Sequence, residues 1–225
     1  MSGFNWPIAI YDFLGILVPG LGLGAVLSFA LPSLPRLYVA YPVPMLLLAF
    51  VAGHVVQGLS KCAYHLLGHV WPEKTFWEAS DETLKLEVLG RLAIAYGPGL
   101  QCEVLIPSED TKDEKRRNLC YSLVWDRMDN ERLFTALADF SRASGLLALL
   151  FAGLSVYLWG AGPWTLPQGL TGLSLGLILF ALFTTRSRFF RKHADSTVYY
   201  GFLAYAAVMA GPVAPRPANL SGPGA

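Results

Sequence analysis

The chain has 225 residues, 54% of them hydrophobic and 15% charged, with a formal net charge of +1. Soluble globular domains are about a quarter charged, so this composition excludes a disordered chain, a basic nucleic-acid-coating protein and an ordinary cytosolic enzyme. It points instead to an all-α integral membrane protein.

The first apolar run, residues 13–31, carries no charge over 19 residues. At about 1.5 Å per residue that crosses a hydrocarbon core of about 30 Å. Asp12 stands where a cleaved signal peptide would carry positive charge, so the run is expected to remain as a helix, kinked at Pro19. After Arg36 a second run covers 37–53 and continues more weakly to Ser60. Residues 61–142 hold 14 of the 16 acids and 11 of the 17 bases and read as a cytoplasmic helical insert. Within it, Ser80-Asp81-Glu82 opens a helix over 83–96 whose apolar face is Leu84, Val88, Leu89, Leu92 and Ala95, and Gly97-Pro98-Gly99 ends it. Residues 103–106 are β-prone without a hairpin partner, and 110–128 predict another helix carrying Leu119, Leu123 and Val124. From Asp129 no breaker intervenes before the third apolar run, 143–162, so that helix is expected to begin outside the bilayer.

A fourth run, 166–185, leads into Arg186-Ser187-Arg188-Phe189-Phe190-Arg191-Lys192, with four bases in seven residues. The stretch 187–210 contains no Pro and predicts a basic amphipathic helix. Its polar face would hold Arg188, Lys192, Asp195 and Tyr199, and Phe190, Ala194, Val198, Tyr205 and Val208 would lie opposite. A short fifth span over 198–213 competes with that reading. Residues 211–225 are Pro/Gly-rich and read as a disordered tail. The division is therefore 1–60 with two transmembrane helices, 61–142 the insert, 143–185 two more transmembrane helices, 186–210 the basic helix and 211–225 the tail.

Lysines and arginines near the span ends put both termini and the insert on the cytoplasmic side, with the connection 161–165 free of charge. Trp6 and Tyr11 would mark one interface, and Tyr38, Tyr41, Trp159 and Trp164 the other. Three cysteines, Cys62, Cys102 and Cys120, lie in the insert and read as free thiols, at spacings that match no zinc pattern.

Four constellations are candidates for function. Gly20 and Gly24, and Gly172 and Gly176, have the Gly-x-x-x-Gly spacing that lets helix backbones approach in lipid, either inside one bundle or between copies. His54, Gln57, Ser60, Lys61, His65 and His69, with Tyr64 beside them, step by three or four along the second helix. Polar side chains within a bilayer are costly unless they face protein or water, so His54 and Gln57 are expected to look inward, onto neighbouring helices or a conduit. A metal at His65 and His69 lacks an assigned third ligand, and no metal or cofactor is expected. Asp12 would fix helix register by pairing with a base such as Lys61 or Arg186. Arg188 and His193 have the Arg-x4-His spacing of ribonucleases of the HEPN class, a loose match in a segment whose basic character topology already explains. Catalysis is therefore not expected, and nor is direct nucleic-acid binding.

Tyr11-Asp12-Phe13-Leu14-Gly15 with Pro19-Gly20, Gly53-His54 followed by Gln57 and Ser60, and Arg186 to Arg191 with Val198 and Phe202 together resemble a loose family of small bacterial multi-pass proteins. Some of its members look like the membrane accessory proteins encoded beside RNA-targeting CRISPR effectors and other phage-defence genes. The resemblance covers about a fifth of the chain, and no part of it is a catalytic signature. It implies an inner-membrane effector that self-associates and alters permeability when a cytosolic defence protein or a nucleotide-type signal acts on it. A constitutive channel or small transporter, and an anchor for a cytosolic partner, are the other functions compatible with the residues.

Overall fold

The computed structural model describes residues 12–70, 75–96, 110–125 and 129–209, and every regular element among them is helical. The chain forms two units, one comprising Met1–Glu78 with Asp129–Ser196 and the other Ala79–Met128 with Thr197–Ala225. Among the described residues three helices are long and apolar enough to cross a membrane: α3 (Pro42–Val70), α7 (Asp129–Gly160) and α8 (Leu166–Met209). A fourth apolar helix, α1 (Phe13–Ser28), is shorter.

In the first unit α1 packs against α3 and α7. Its opening turn, Phe13–Leu17, is a π-helix in which the Val18 N–H donates to the Phe13 carbonyl. Pro19 explains the widening. A proline ring inside a helix collides with the carbonyl four residues back, here that of Gly15. Opening the turn to an i→i+5 pattern accommodates the ring within a continuous helix. The first apolar run therefore yields a helix ending at Ser28 and a turn, and then α2 (Leu34–Ala40). A break at Tyr41, with φ −134° and ψ 63°, separates α2 from α3.

Between α1 and α3 the backbones touch. A methyl group on Gly20 would overlap the Ala49 carbonyl, and one on Gly53 would overlap the Ile16 carbonyl. Val56, Ala143 and Leu147 form the apolar centre, with Leu23 and Leu146 packed on it. The α7–α8 connection is tight: Gly162 adopts φ 95°, and the Thr165 N–H and hydroxyl both donate to Gln168 Oε1, at 2.8 and 3.0 Å. Phe29 lies edge-on to Trp164 at 5.9 Å and tilted to Phe151 at 5.4 Å, an aromatic cluster at this end of the helices.

The short α4 (Phe76–Ala79) begins in a reciprocal capping box in which the Glu78 N–H donates to Thr75 Oγ1 at 3.1 Å and the Thr75 N–H donates to Glu78 Oε2 at 2.8 Å.

The second unit is built from α5 (Glu82–Tyr96), α6 (Asp110–Val124) and the last turns of α8. Asp81 caps α5 by accepting the Leu84 N–H at 2.8 Å. Val88 and Leu92 are buried on one α5 face and Cys120 and Val124 on one α6 face, whereas Ala95 is exposed. The Tyr96 hydroxyl joins the two helices, donating to the Leu119 carbonyl at 3.1 Å and lying 2.7 Å from Ser122 Oγ. Burial pushes the Cys120 thiol up to about 12.

Helix α8 runs without a break for 44 residues, about 66 Å. Within it Val198, Tyr199 and Phe202 are buried and Val208 is 76% exposed, so Tyr199 belongs to the packed face and Val208 does not. Residues 198–209 continue α8 as helix. The expectations for Trp6, Tyr11, 97–109 with Cys102, and 210–225 concern positions outside the described residues.

Candidate functional site

The polar stripe on α3 divides into two faces. An α-helix turns about 100° per residue, which sets Gly53, Val56, Gln57, Ser60 and Tyr64 on one side and His54, Gly58, Lys61 and His65 on the other. Gln57 and Ser60 are buried and Tyr64 is half-buried, but His54, Lys61 and His65 are exposed. His54 therefore looks out of the bundle, edge-on to Phe50 at 4.9 Å, and lines no conduit inside a single chain. The expectation of an inward His54 treated the stripe as one face, yet steps of three and four drift across more than a third of the helix circumference. His69 lies on α3, but its side chain is outside the described residues.

Each inward residue has a defined task. The Gln57 Nε2 donates to the Gly15 carbonyl, the group that in an α-helix would receive the N–H of residue 19 and that Pro19 cannot serve. Gln57 thus repairs the defect that Pro19 creates in α1. Its Oε1 is buried without a hydrogen-bond partner among the described residues. The Ser60 hydroxyl donates to the Gln57 carbonyl at 2.9 Å and accepts from Arg142 Nε at 3.4 Å. Arg142 in turn pairs with Asp139 at 2.6 Å, both side chains being largely buried. The Tyr64 hydroxyl donates to Thr184 Oγ1 at 2.8 Å, and the Ser187 hydroxyl donates to the Ala138 carbonyl at 3.0 Å.

These contacts tie α3, α7 and α8 together at one level. Ser60, Arg142 and Thr184 each stand eighteen residues, about 27 Å, from Pro42, Gly160 and Leu166, the opposite ends of their helices. Tyr64, Asp139 and Ser187 follow at about 32 Å. The spacing matches the thickness of a bilayer hydrocarbon core, about 30 Å. Tyr64 was noted beside the stripe, but Asp139 and Thr184 were not singled out from sequence; the legible signal was Asp-x-x-Arg, a charged i, i+3 pair where α7 turns apolar.

The Ser60 proton is given to the Gln57 carbonyl. Among the described residues no three His, Cys, Asp or Glu side chains come together in a metal-binding group.

The glycine pairs work within the chain. Gly20 abuts α3, Gly24 faces the Tyr38 hydroxyl, Gly172 faces Ser155, and a methyl on Gly176 would come within 2.7 Å of the Ala148 carbonyl. Asp12 makes no ion pair among the described residues, and the Arg186 guanidinium lies over the Phe189 and Phe190 rings, 5.8 and 5.5 Å from their centroids. Arg188 and His193 stand about 140° apart on α8. His193 is exposed, its Nδ1 lies 2.9 Å from the Phe189 carbonyl and its ring 4.0 Å from that of Phe189. The two side chains thus diverge rather than face a common point.

Comparison of the chain with protein-family models, with curated proteins and with solved structures finds no match.

Proposed function

We propose that this chain is a four-span protein of the bacterial inner membrane, with both termini and the second unit cytoplasmic, that alters membrane permeability in response to a cytosolic signal. The observation that carries the membrane placement is the polar layer at a common depth: α3 reaches it about 27 Å from Pro42, and α7 and α8 reach it about 27 Å from the connection between them. No Asp, Glu, Lys or Arg falls within 42–60, 143–160 or 166–185, and the bases of 186–192 begin where the interval ends. Helix α8 then continues about 36 Å past Thr185 as uninterrupted helix. It supplies a mechanical connection through which an event at its far end biases packing around Thr184 and Ser187. The chemistry of the polar layer is that of a fastening between helices. The defence-linked setting rests on the three patches of sequence resemblance.

Induction in cells, with membrane potential followed by a voltage-sensitive dye and with and without phage challenge, tests the effector reading. Depolarisation upon challenge is expected; an unchanged potential in both conditions overturns it. A second reading, an anchor for a cytosolic protein, is favoured by Leu86 and Ile94 of α5, which are 69% and 82% exposed. It predicts one stoichiometric soluble protein co-purifying with the chain, with no change in potential.

A further inference from the structure

The surfaces that usually carry helix association in lipid are already in use. Gly20 and Gly53 close α1 on α3, and Gly172 and Gly176 close α8 on α7. The outward face of α3 is built differently. Leu47, Val51, His54 and Gly58 follow one another by steps of four, three and four, and all are exposed. Among the described residues no atom beyond its own helix backbone and chain neighbours lies within 4 Å of the position a Gly58 Cβ would occupy, so the backbone is bare there. His54 stands twelve residues, about 18 Å, from Pro42, well inside a core of about 30 Å. Acyl chains offer an imidazole no hydrogen bond, and a polar side chain that faces lipid at this depth is costly.

We infer that a second copy of the chain covers this face, with α3 crossing α3 at Gly58 and His54 meeting His54 across a two-fold axis. The inference rests on the membrane placement of α3 proposed above and moves self-association from the glycine pairs to α3. Two properties make the face self-complementary. An uncharged imidazole carries one N–H and one bare nitrogen, so a pair of them completes one hydrogen bond that neither makes alone. A glycine at the crossing lets the two backbones approach closely enough for side chains a turn away to meet. Lys61, at about 28 Å, reaches the headgroup level, where its ammonium extends to lipid phosphates and leaves the seam. The arrangement is isologous, each residue near the axis contacting its own counterpart.

The test uses the full chain in native membranes. Cys62, Cys102 and Cys120 are replaced by serine or alanine, and single cysteines are placed at each position from 47 to 61 and oxidised with a mild catalyst. Cross-linking maxima are expected at 47, 51, 54 and 58. Leu48, Val55 and Leu59 provide the control, since they are similarly exposed but lie on the opposite flank. In a second experiment His54→Leu, added to Leu47→Cys, lowers the cross-linked fraction about threefold, the scale of one interhelical hydrogen bond. Maxima at 48, 55 and 59, no cross-link anywhere, or full cross-linking in His54→Leu would overturn the inference. Resistance to alkaline extraction is measured first, so failure to reside in the membrane is separated from failure to pair. A cross-linking pattern as expected with membrane potential unaffected would leave the pairing standing and remove the effector reading.

Discussion

Pro19 and Gln57 lie 38 positions apart in sequence, and the fold makes one depend on the other. The perturbation is a double-mutant cycle of Gln57→Leu and Pro19→Ala. In the parent chain the Gly15 carbonyl accepts from Gln57 Nε2, and losing the bond to a buried carbonyl costs about 1–3 kcal/mol, nearer about 0.6 kcal/mol when averaged over interhelical bonds in membranes. Against this, Gln57 Oε1 is buried without a partner among the described residues, so leucine also relieves a penalty of similar size. The net effect of Gln57→Leu in the parent chain is therefore small, about 1 kcal/mol or less. In Pro19→Ala, residue 19 regains an N–H for Gly15, the glutamine bond becomes redundant, and Gln57→Leu turns stabilising. The coupling between the two sites is about 1 kcal/mol, roughly fivefold in the unfolding equilibrium. Reversible unfolding in mixed micelles by titration with a denaturing detergent measures all four corners. A coupling energy within about 0.3 kcal/mol of zero would refute the repair.

Other outcomes follow from the same packing. Gly53→Ala sets a methyl against the Ile16 carbonyl, where only backbone can yield, and should cost about 1–3 kcal/mol or prevent α1 from docking; Gly153→Ala, with nothing within 4 Å, should change stability by less than about 1 kcal/mol. Asp139→Ala strands the Arg142 guanidinium and should destabilise by about 2 kcal/mol, while Asp139→Ala with Arg142→Met should recover most of that loss in the same unfolding assay. Cys120, with its thiol pushed up to about 12, is almost wholly protonated at pH 8. Its alkylation in the native protein should be about three orders of magnitude slower than in the unfolded chain and should rise with pH, and rapid native labelling followed by mass spectrometry would contradict the packing of α5 on α6.

The long helices could be read from the sequence because their determinants are local: an unbroken run from Asp129, no proline in 187–209, and Asp81 before an amphipathic run. Glu78 three residues after Thr75 was an equally local signal for α4, hidden by the brevity of the helix. The division of the α3 stripe was harder to read, because a polar residue in an apolar helix has two compatible destinations and spacing alone does not choose between them. Gln57 went inward because a carbonyl on another helix lacked a donor, a fact written at Pro19. His54 went outward because Gly53, beside it, is the residue whose backbone meets α1. The Arg142–Asp139 pair joins residues three apart, but its partner Ser60 is 82 positions away, and no periodicity within one segment announces that contact.

The most direct measurement of the membrane account is sided labelling of single cysteines with an impermeant thiol reagent in intact and permeabilised cells. Cysteines introduced at Ser33 and Gly162 should label from outside in intact cells, and cysteines at Ser2 and Lys85 only after permeabilisation. Labelling of Ser2→Cys in intact cells would reduce the spans to three, and labelling of Lys85→Cys there, or protection of Gly162→Cys, would contradict the orientation of the polar layer and of α8 with it.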